Sequence, residues 1–456
     1  DYRHTGQAKG IVTMAFSGVP LFALVSLFSL STAATKYEVN RAEADCIEHA
    51  GNTLCFNGFF ETARETLNDT DATNFISAVW RKIYGDAERI SKHRKKRMLS
   101  FVPSRSEVRA FPYERNFQRF ARAVQRLKTH FAVNRRINTY DLIARIHTGG
   151  PREHRGPALF SWHRVYLLIF ETSLQIVTGD PSVTVPYWAS NLDQAMGNRQ
   201  SNTIIFSNRY FGDPYGEVRT GYFANLPGER IRRFINGLGS LITTQGINEV
   251  LSRRRHRDIN YNPSNPRYCL ECYHNGPHNW VDGNMADGNL AAYDPIFWCH
   301  HAFIDYIWEL FRRRIRDPTR DYPLGNRNHR PYTIMRFSEP FAPKPPITNR
   351  DGFNETIASL RAYSPSPSCS NRCAMSTDLE CRAGRCVSKE RPNPETFENF
   401  IMERAPGSRT MTKTAAFSEG MRIVETEMAE RLHGIRPNPF ENFFAENSTR
   451  DFSVTL

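Results

Sequence analysis

Past residue 30 the chain contains no apolar run long enough to cross a membrane, and the C-terminal DFSVTL has none of the features of an anchor. The one concentrated apolar stretch, residues 19–30, is itself too short for a span and runs into the small residues STAA at 31–34. That is the shape of a secretory signal, although no Lys or Arg lies between Met14 and Val19. The expectation is a leader over residues 1–34, with 1–13 upstream of the true start and 14–34 a signal peptide, and a secreted, extracellular product without a membrane anchor. Nucleic-acid motifs are missing too, so the net charge of +13, concentrated in KHRKKR (92–97) and RRRHR (253–257), excludes little by itself. A solvated basic helix face explains those runs, and an acidic extracellular matrix partner is the alternative.

Histidine is scarce, with 14 in 456 residues, yet four fall in one window: His274, His278, His300 and His301. His274 and His278 stand four apart, so on a helix their imidazoles share a face and can grip one ion. DPIF (294–297) opens an apolar helix carrying His300 and His301; neighbours on a helix diverge by about 100°, so one of the two faces the metal. Upstream, His147 ends an apolar-periodic helix, His154 lies in a loop, and His163 begins an amphipathic helix over residues 164–177. Two groups of three neutral imidazoles, with no thiolate or carboxylate among them, favour copper over a structural zinc and imply a two-metal site.

At these residues the chain resembles the tyrosinase, catechol oxidase and haemocyanin group of binuclear copper proteins. WHRVYLLIFE (162–171) is similar to the first-copper motif of that family and DPIFWCHHAFIDYIW (294–308) to the second. The resemblance implies that His147, His154 and His163 hold one copper and His274, His278 and His301 the other, with His300 behind them. It also implies a mainly α fold, a helical bundle around a dicopper centre, and oxidation of phenols by dioxygen. Asn275 matches the family residue that helps take the phenol proton, and Glu271 is its candidate partner. Asp305 and Asp294 are the carboxylates expected to hold the imidazoles, Arg164 is placed to meet one of them, and Phe160 and Phe297 are expected to pack on the ligands. Asp294 reads equally as a helix cap before Pro295. Many mollusc and fungal relatives have a cysteine two residues before the second histidine; Arg152 stands there, so a thioether crosslink is not expected.

The rest of the chain supports a catalytic unit with an appendage. Residues 35–345 read as the copper-binding domain, 346–390 as a Pro/Cys-rich segment, and 391–456 as a partly helical tail. Helical spacing of Phe117, Phe120, Ala121, Val124, Leu127 and Phe131 predicts a bundle helix, whereas 181–268 reads as long loops with one helix near Glu249. Nine cysteines point to disulfides. Cys46 and Cys55 close a small loop, and Cys369, Cys373, Cys381 and Cys386 make two bridges in preference to a zinc site. Cys299 is then a buried free thiol, or else pairs with Cys269 or Cys272. Asn68, Asn354 and Asn447 head glycosylation triplets. The resemblance implies a phenolic small molecule or peptidyl tyrosine or dopa as substrate, and products feeding melanin or matrix crosslinking. The remaining readings are a catechol oxidase alone, an oxygen binder, or a silent matrix protein.

Overall fold

A computed structural model describes residues 69–95, 102–133, 135–148, 153–323, 329–337, 343–392, 397–404 and 412–433. The leader, the Cys46 and Cys55 pair, the Asn68 and Asn447 triplets, and the tail phenylalanines Phe440, Phe443 and Phe444 lie outside these residues. Among the described residues no helix is long and apolar enough to cross a membrane.

The body is mainly helical. Its principal helices are α1 (Asp69–Lys95), α2 (Arg119–Thr129), α3 (Thr139–Ala144), α4 (Ala158–Thr178), α5 (Thr244–Leu251), α6 (Leu270–Val281), α7 (Pro295–Arg312), α8 (Phe397–Arg404) and α9 (Lys413–His433). Among the described residues there are also three small two-stranded ladders: β1 (Ser104–Arg105) with β4 (Ala362–Tyr363), β2 (Tyr215–Glu217) with β3 (Arg232–Phe234), and β5 (Leu379–Arg382) with β6 (Arg385–Ser388).

Helix α4 is the centre, packed by α1, α2 and α7. Every side chain from Ala158 to Leu174 is buried, so the expected amphipathic start at His163 needs correction: the helix begins five residues earlier and has no wet face until its last turn. The residues that imitate a polar face are satisfied inside. Arg164 Nε donates to Asp305 at 2.7 Å, and Glu171 accepts from Arg105 Nε at 2.9 Å. A helix apolar on all sides belongs to a core. It ends where Gly179 adopts φ +66°, the left-handed conformation glycine takes without a Cβ penalty.

In α7, Pro295 occupies the first turn, where its missing N–H costs nothing, and Asp294 caps the helix by accepting from Ile296 N at 3.1 Å. All six tryptophans are buried, which makes Trp162, Trp298 and Trp308 core residues and not substrate contacts. Trp298 stacks on Phe170 of α4 at 3.7 Å between ring centroids, locking the two ligand-bearing helices together. Residues Phe117, Phe120, Ala121, Val124 and Leu127 fill the core as their spacing predicts, but Phe131 is 46% exposed because α2 has ended and His130 is extended.

The segment after residue 346 packs into the same body. Tyr363, brought in by the β1–β4 pairing, donates to Asp305 at 2.5 Å and accepts from Arg105 Nη1 at 2.7 Å. Cys369 pairs with Cys381, Cys373 with Cys386, and Cys269 with Cys272, leaving Cys299 as the buried free thiol. The run RRRHR does not form a solvated helix face throughout. It follows α5, and His256 within it is fully buried, held by Asp321 at Nδ1 (3.0 Å) and by Trp308 Nε1 at Nε2 (3.0 Å).

Candidate metal centre

Six histidines converge from five places on the chain. His147 closes a 3-10 turn, Arg145–His147, that continues α3; His154 stands in the loop leading to α4; His163 lies in the second turn of α4. His274 and His278 share one face of α6, and His301 projects from α7. The ligand atoms of His147, His154 and His163 lie within 4.8 Å of one another, and so do those of His274, His278 and His301. The triads face each other, with the His163 and His301 rings stacked at 4.1 Å. All six residues foreseen from the sequence are brought together, and His301, not His300, is the one of the adjacent pair that turns inward.

The second triad shows most directly that a cation belongs here. His278 Nδ1 lies 2.8 Å from the Met285 carbonyl and His274 Nδ1 lies 2.9 Å from Asn275 Oδ1, both acceptors. Each Nδ1 therefore carries its proton and each Nε2 presents a lone pair. Yet the three Nε2 atoms of His274, His278 and His301 sit 3.1, 3.3 and 3.3 Å apart. The His274 and His278 lone pairs, 3.1 Å apart, repel unless a cation lies between them. The centre of that triangle is about 1.9 Å from each nitrogen, close to the metal–imidazole bond of about 2.0 Å. In the first triad His147 Nδ1 faces the Gly288 carbonyl at 3.1 Å and His163 Nδ1 faces the Leu159 carbonyl at 2.9 Å. Their buried Nε2 atoms have no hydrogen-bond partner among the described residues. Burial, and then mutual repulsion, holds the pKa of His147, His163, His274 and His301 well below the ordinary value, and burial brings His278 down to about 4. Neutral imidazole is the form a metal needs.

The residues around the ligands differ in part from expectation. Asp305 and Asp294 hold no imidazole. Asp305 pairs with Arg164, as foreseen for a guanidinium and a carboxylate, while Asp294 accepts from Arg233 Nε and Nη2 at 2.7 Å each besides capping α7. Backbone carbonyls orient the His147, His163 and His278 rings instead, and Asn275 Oδ1 orients His274, which settles those tautomers as well as a carboxylate would. The carbonyls of Met285 and Gly288 belong to the Gly- and Asn-rich loop between α6 and α7; a main-chain acceptor has no residue-type signature, so only that loop's composition hinted at them. Phe297 does pack on the ligands, 4.2 Å from the His301 ring and 5.0 Å from His147. Phe160 stacks on Trp308 at 5.6 Å. His300 lies behind the site, its Nε2 3.0 Å from the His274 carbonyl.

Asn275 and His278 are half-buried, which places the accessible side of the centre beside the second triad. Glu271, one turn before His274, is buried, and its two carboxyl oxygens accept from the backbone N–H groups of Arg155 and Gly156, directly after His154. Burial pushes this carboxyl up to about 8, against the opposing pull of those two donors. Its bonds run to those two amides and not to Asn275, so it ties α6 to the first triad's loop.

The model of the common central domain of tyrosinase matches residues 137–268 and 234–314, which include all six histidines. Tyrosinase-like protein 1 of Margaritifera margaritifera is 34% identical over 285 residues, covering 56% of this chain and 55% of the relative. Tyrosinase-like protein 2 of the same mollusc is 30% identical over 351 residues, covering 69% and 73%. A tyrosinase of Streptomyces lincolnensis is 32% identical over 200 residues, covering 39% and 70%. The chain thus spans about half the length of the first of these relatives.

Proposed function

The chain belongs to the tyrosinase family of binuclear copper proteins, and from that premise we propose that it oxidises phenols with dioxygen, hydroxylating monophenols and taking o-diphenols to o-quinones. The observation that carries the reading is the pair of complete, largely buried imidazole triads, with the lone pairs of His274 and His278 converging. When bound, the copper pair supplies dioxygen activation and two-electron redox chemistry. For a monophenol the balance is phenol plus dioxygen to o-quinone plus water.

The protein's own part is binding, orientation and proton control. Met285, Gly288 and Leu159 hold Nδ1 protons on His278, His147 and His163 through their carbonyls, so each Nε2 stays free for metal. Asn275 Oδ1 does the same for His274 and, half-exposed beside the centre, orients an incoming phenol's hydroxyl in this reading. Glu271 positions the loop of His154 from α6, keeping the two triads in register. Phe297 walls the centre from water on the buried side.

The product is proposed to act outside the cell, its o-quinones serving melanin formation or matrix crosslinking, with tyrosine, dopa or their peptidyl forms as substrates. Three disulfides among the described residues support an oxidising compartment. Asn354, whose Oδ1 caps a short helix by accepting from Thr356 N at 2.8 Å, leaves its amide nitrogen for the proposed glycan. Oxygen uptake by the copper-loaded chain on L-tyrosine and on L-dopa, with a His278→Ala control, tests the reading. Uptake on L-dopa alone narrows it to a catechol oxidase, and reversible oxygen binding without turnover rejects it in favour of a carrier.

A further inference from the structure

Away from the histidines, a cleft of about 560 Å³ opens where four separate segments meet: the turn at Gln194, helix α5, the approach to α6, and strand β6. Arg253, Arg267 and Arg385 line it with Tyr268. The phenol ring of Tyr268 stacks with two of these guanidinium groups, Arg253 at 4.1 Å and Arg267 at 5.4 Å from its centroid, so they are held in place before any ligand arrives. Arg267 is matched by Glu249 at 3.1 Å. Neither Arg253 nor Arg385 has a carboxylate within ion-pair distance among the described residues.

The rest of the lining is amide and hydroxyl: Gln194, Gln245, Asn248, Thr243 and Thr244. Such groups both donate and accept, which suits a peptide backbone. Guanidinium groups fixed in a cleft suit carboxylates, which they meet through two parallel hydrogen bonds. Glu249 in the wall opposes a ligand with closely spaced negative charges, such as a sulfated glycan, while tolerating carboxylates spaced along a chain. We propose that this cleft is a docking site for an acidic peptide segment of a partner protein. The proposal stands independently of the reaction assigned to the histidine centre.

The test uses the whole chain and a short fluorescein-labelled peptide alternating aspartate and serine, with binding read by fluorescence anisotropy. The peptide should bind, and added salt should weaken it. The Arg253→Ala/Arg385→Ala variant should bind about tenfold less tightly, as expected for losing two partly shielded ion pairs. Glu249→Gln should bind more tightly. Arg254→Ala/Arg257→Ala, which removes equal charge outside the cleft, serves as the control and should stay within about twofold. Thermal unfolding of each variant separates lost binding from lost folding. Equal weakening by both arginine pairs, no effect of the cleft pair in a folded protein, or tighter binding by a sulfated oligosaccharide in direct competition would each overturn the proposal.

Discussion

Arg233 and Asp294 join the β2–β3 ribbon to the start of the helix that carries His301. Both are fully buried, and the guanidinium meets the carboxylate through two bonds of 2.7 Å while Nη1 donates to the Phe211 carbonyl at 2.7 Å. In Arg233→Met the carboxylate keeps only the Ile296 amide, and the Phe211 carbonyl loses this donor. Leaving one member of a buried pair uncompensated costs ~3–5 kcal/mol. At about 2 °C per kcal/mol for a body of this size, the unfolding midpoint falls by about 6–10 °C. Adding Asp294→Asn removes the buried charge and keeps a cap acceptor, so the double variant recovers more than half of that loss. Calorimetry and urea titration of the single and double variants measure both quantities. A single variant within about 1 kcal/mol of wild type, or a double variant no better than the single, refutes the reasoning.

Other perturbations act on the remaining elements. A Cβ at Gly352 meets the Ser161 carbonyl oxygen at 2.3 Å and its Cα at 2.6 Å, so Gly352→Ala pushes against α4 two residues before His163. It should cost about 1–3 kcal/mol by urea unfolding and weaken copper retention in the first triad more than in the second. Removing the Cys373–Cys386 bridge as a pair of serines closes no loop in the unfolded chain and should cost about 3 kcal/mol, read in the same assay, with bound copper unchanged. In the copper-free protein the buried histidines have folded pKa values below their unfolded value of about 6.5. Their contribution is complete above that pH and is lost as pH falls toward the folded values, His278 titrating at about 4. The urea midpoint should therefore drop between about pH 7 and about pH 5, and a flat profile would contradict the neutral-imidazole assignment.

What could be read from the chain divides along physical lines. Ligand chemistry is strongly typed: few side chains bind copper, and His274 and His278 at helical spacing, the two family motifs, and the histidines His147 and His154 clustered before the first motif carried the ligand set. Helices with a regular apolar period, such as that of Phe117 to Leu127, were legible for the same reason. Charged residues misled where they were paired internally. Arg164 and Glu171 gave α4 a polar look, and His256 seemed one more member of a basic run, because a sequence does not display Asp305, Arg105 or Asp321 beside them. The groups that orient the imidazoles were invisible for a different cause. Met285, Gly288 and Leu159 act through carbonyls that every residue owns, so Asp305 and Asp294 were the only visible candidates, and both have other partners.

Copper stoichiometry tests the central claim most directly. The chain should retain two coppers by metal analysis of the desalted protein, and His163→Ala and His278→Ala should each retain one, on opposite sides of the centre. A folded wild-type chain that retains a single copper or none, or either variant still holding two, would contradict the account.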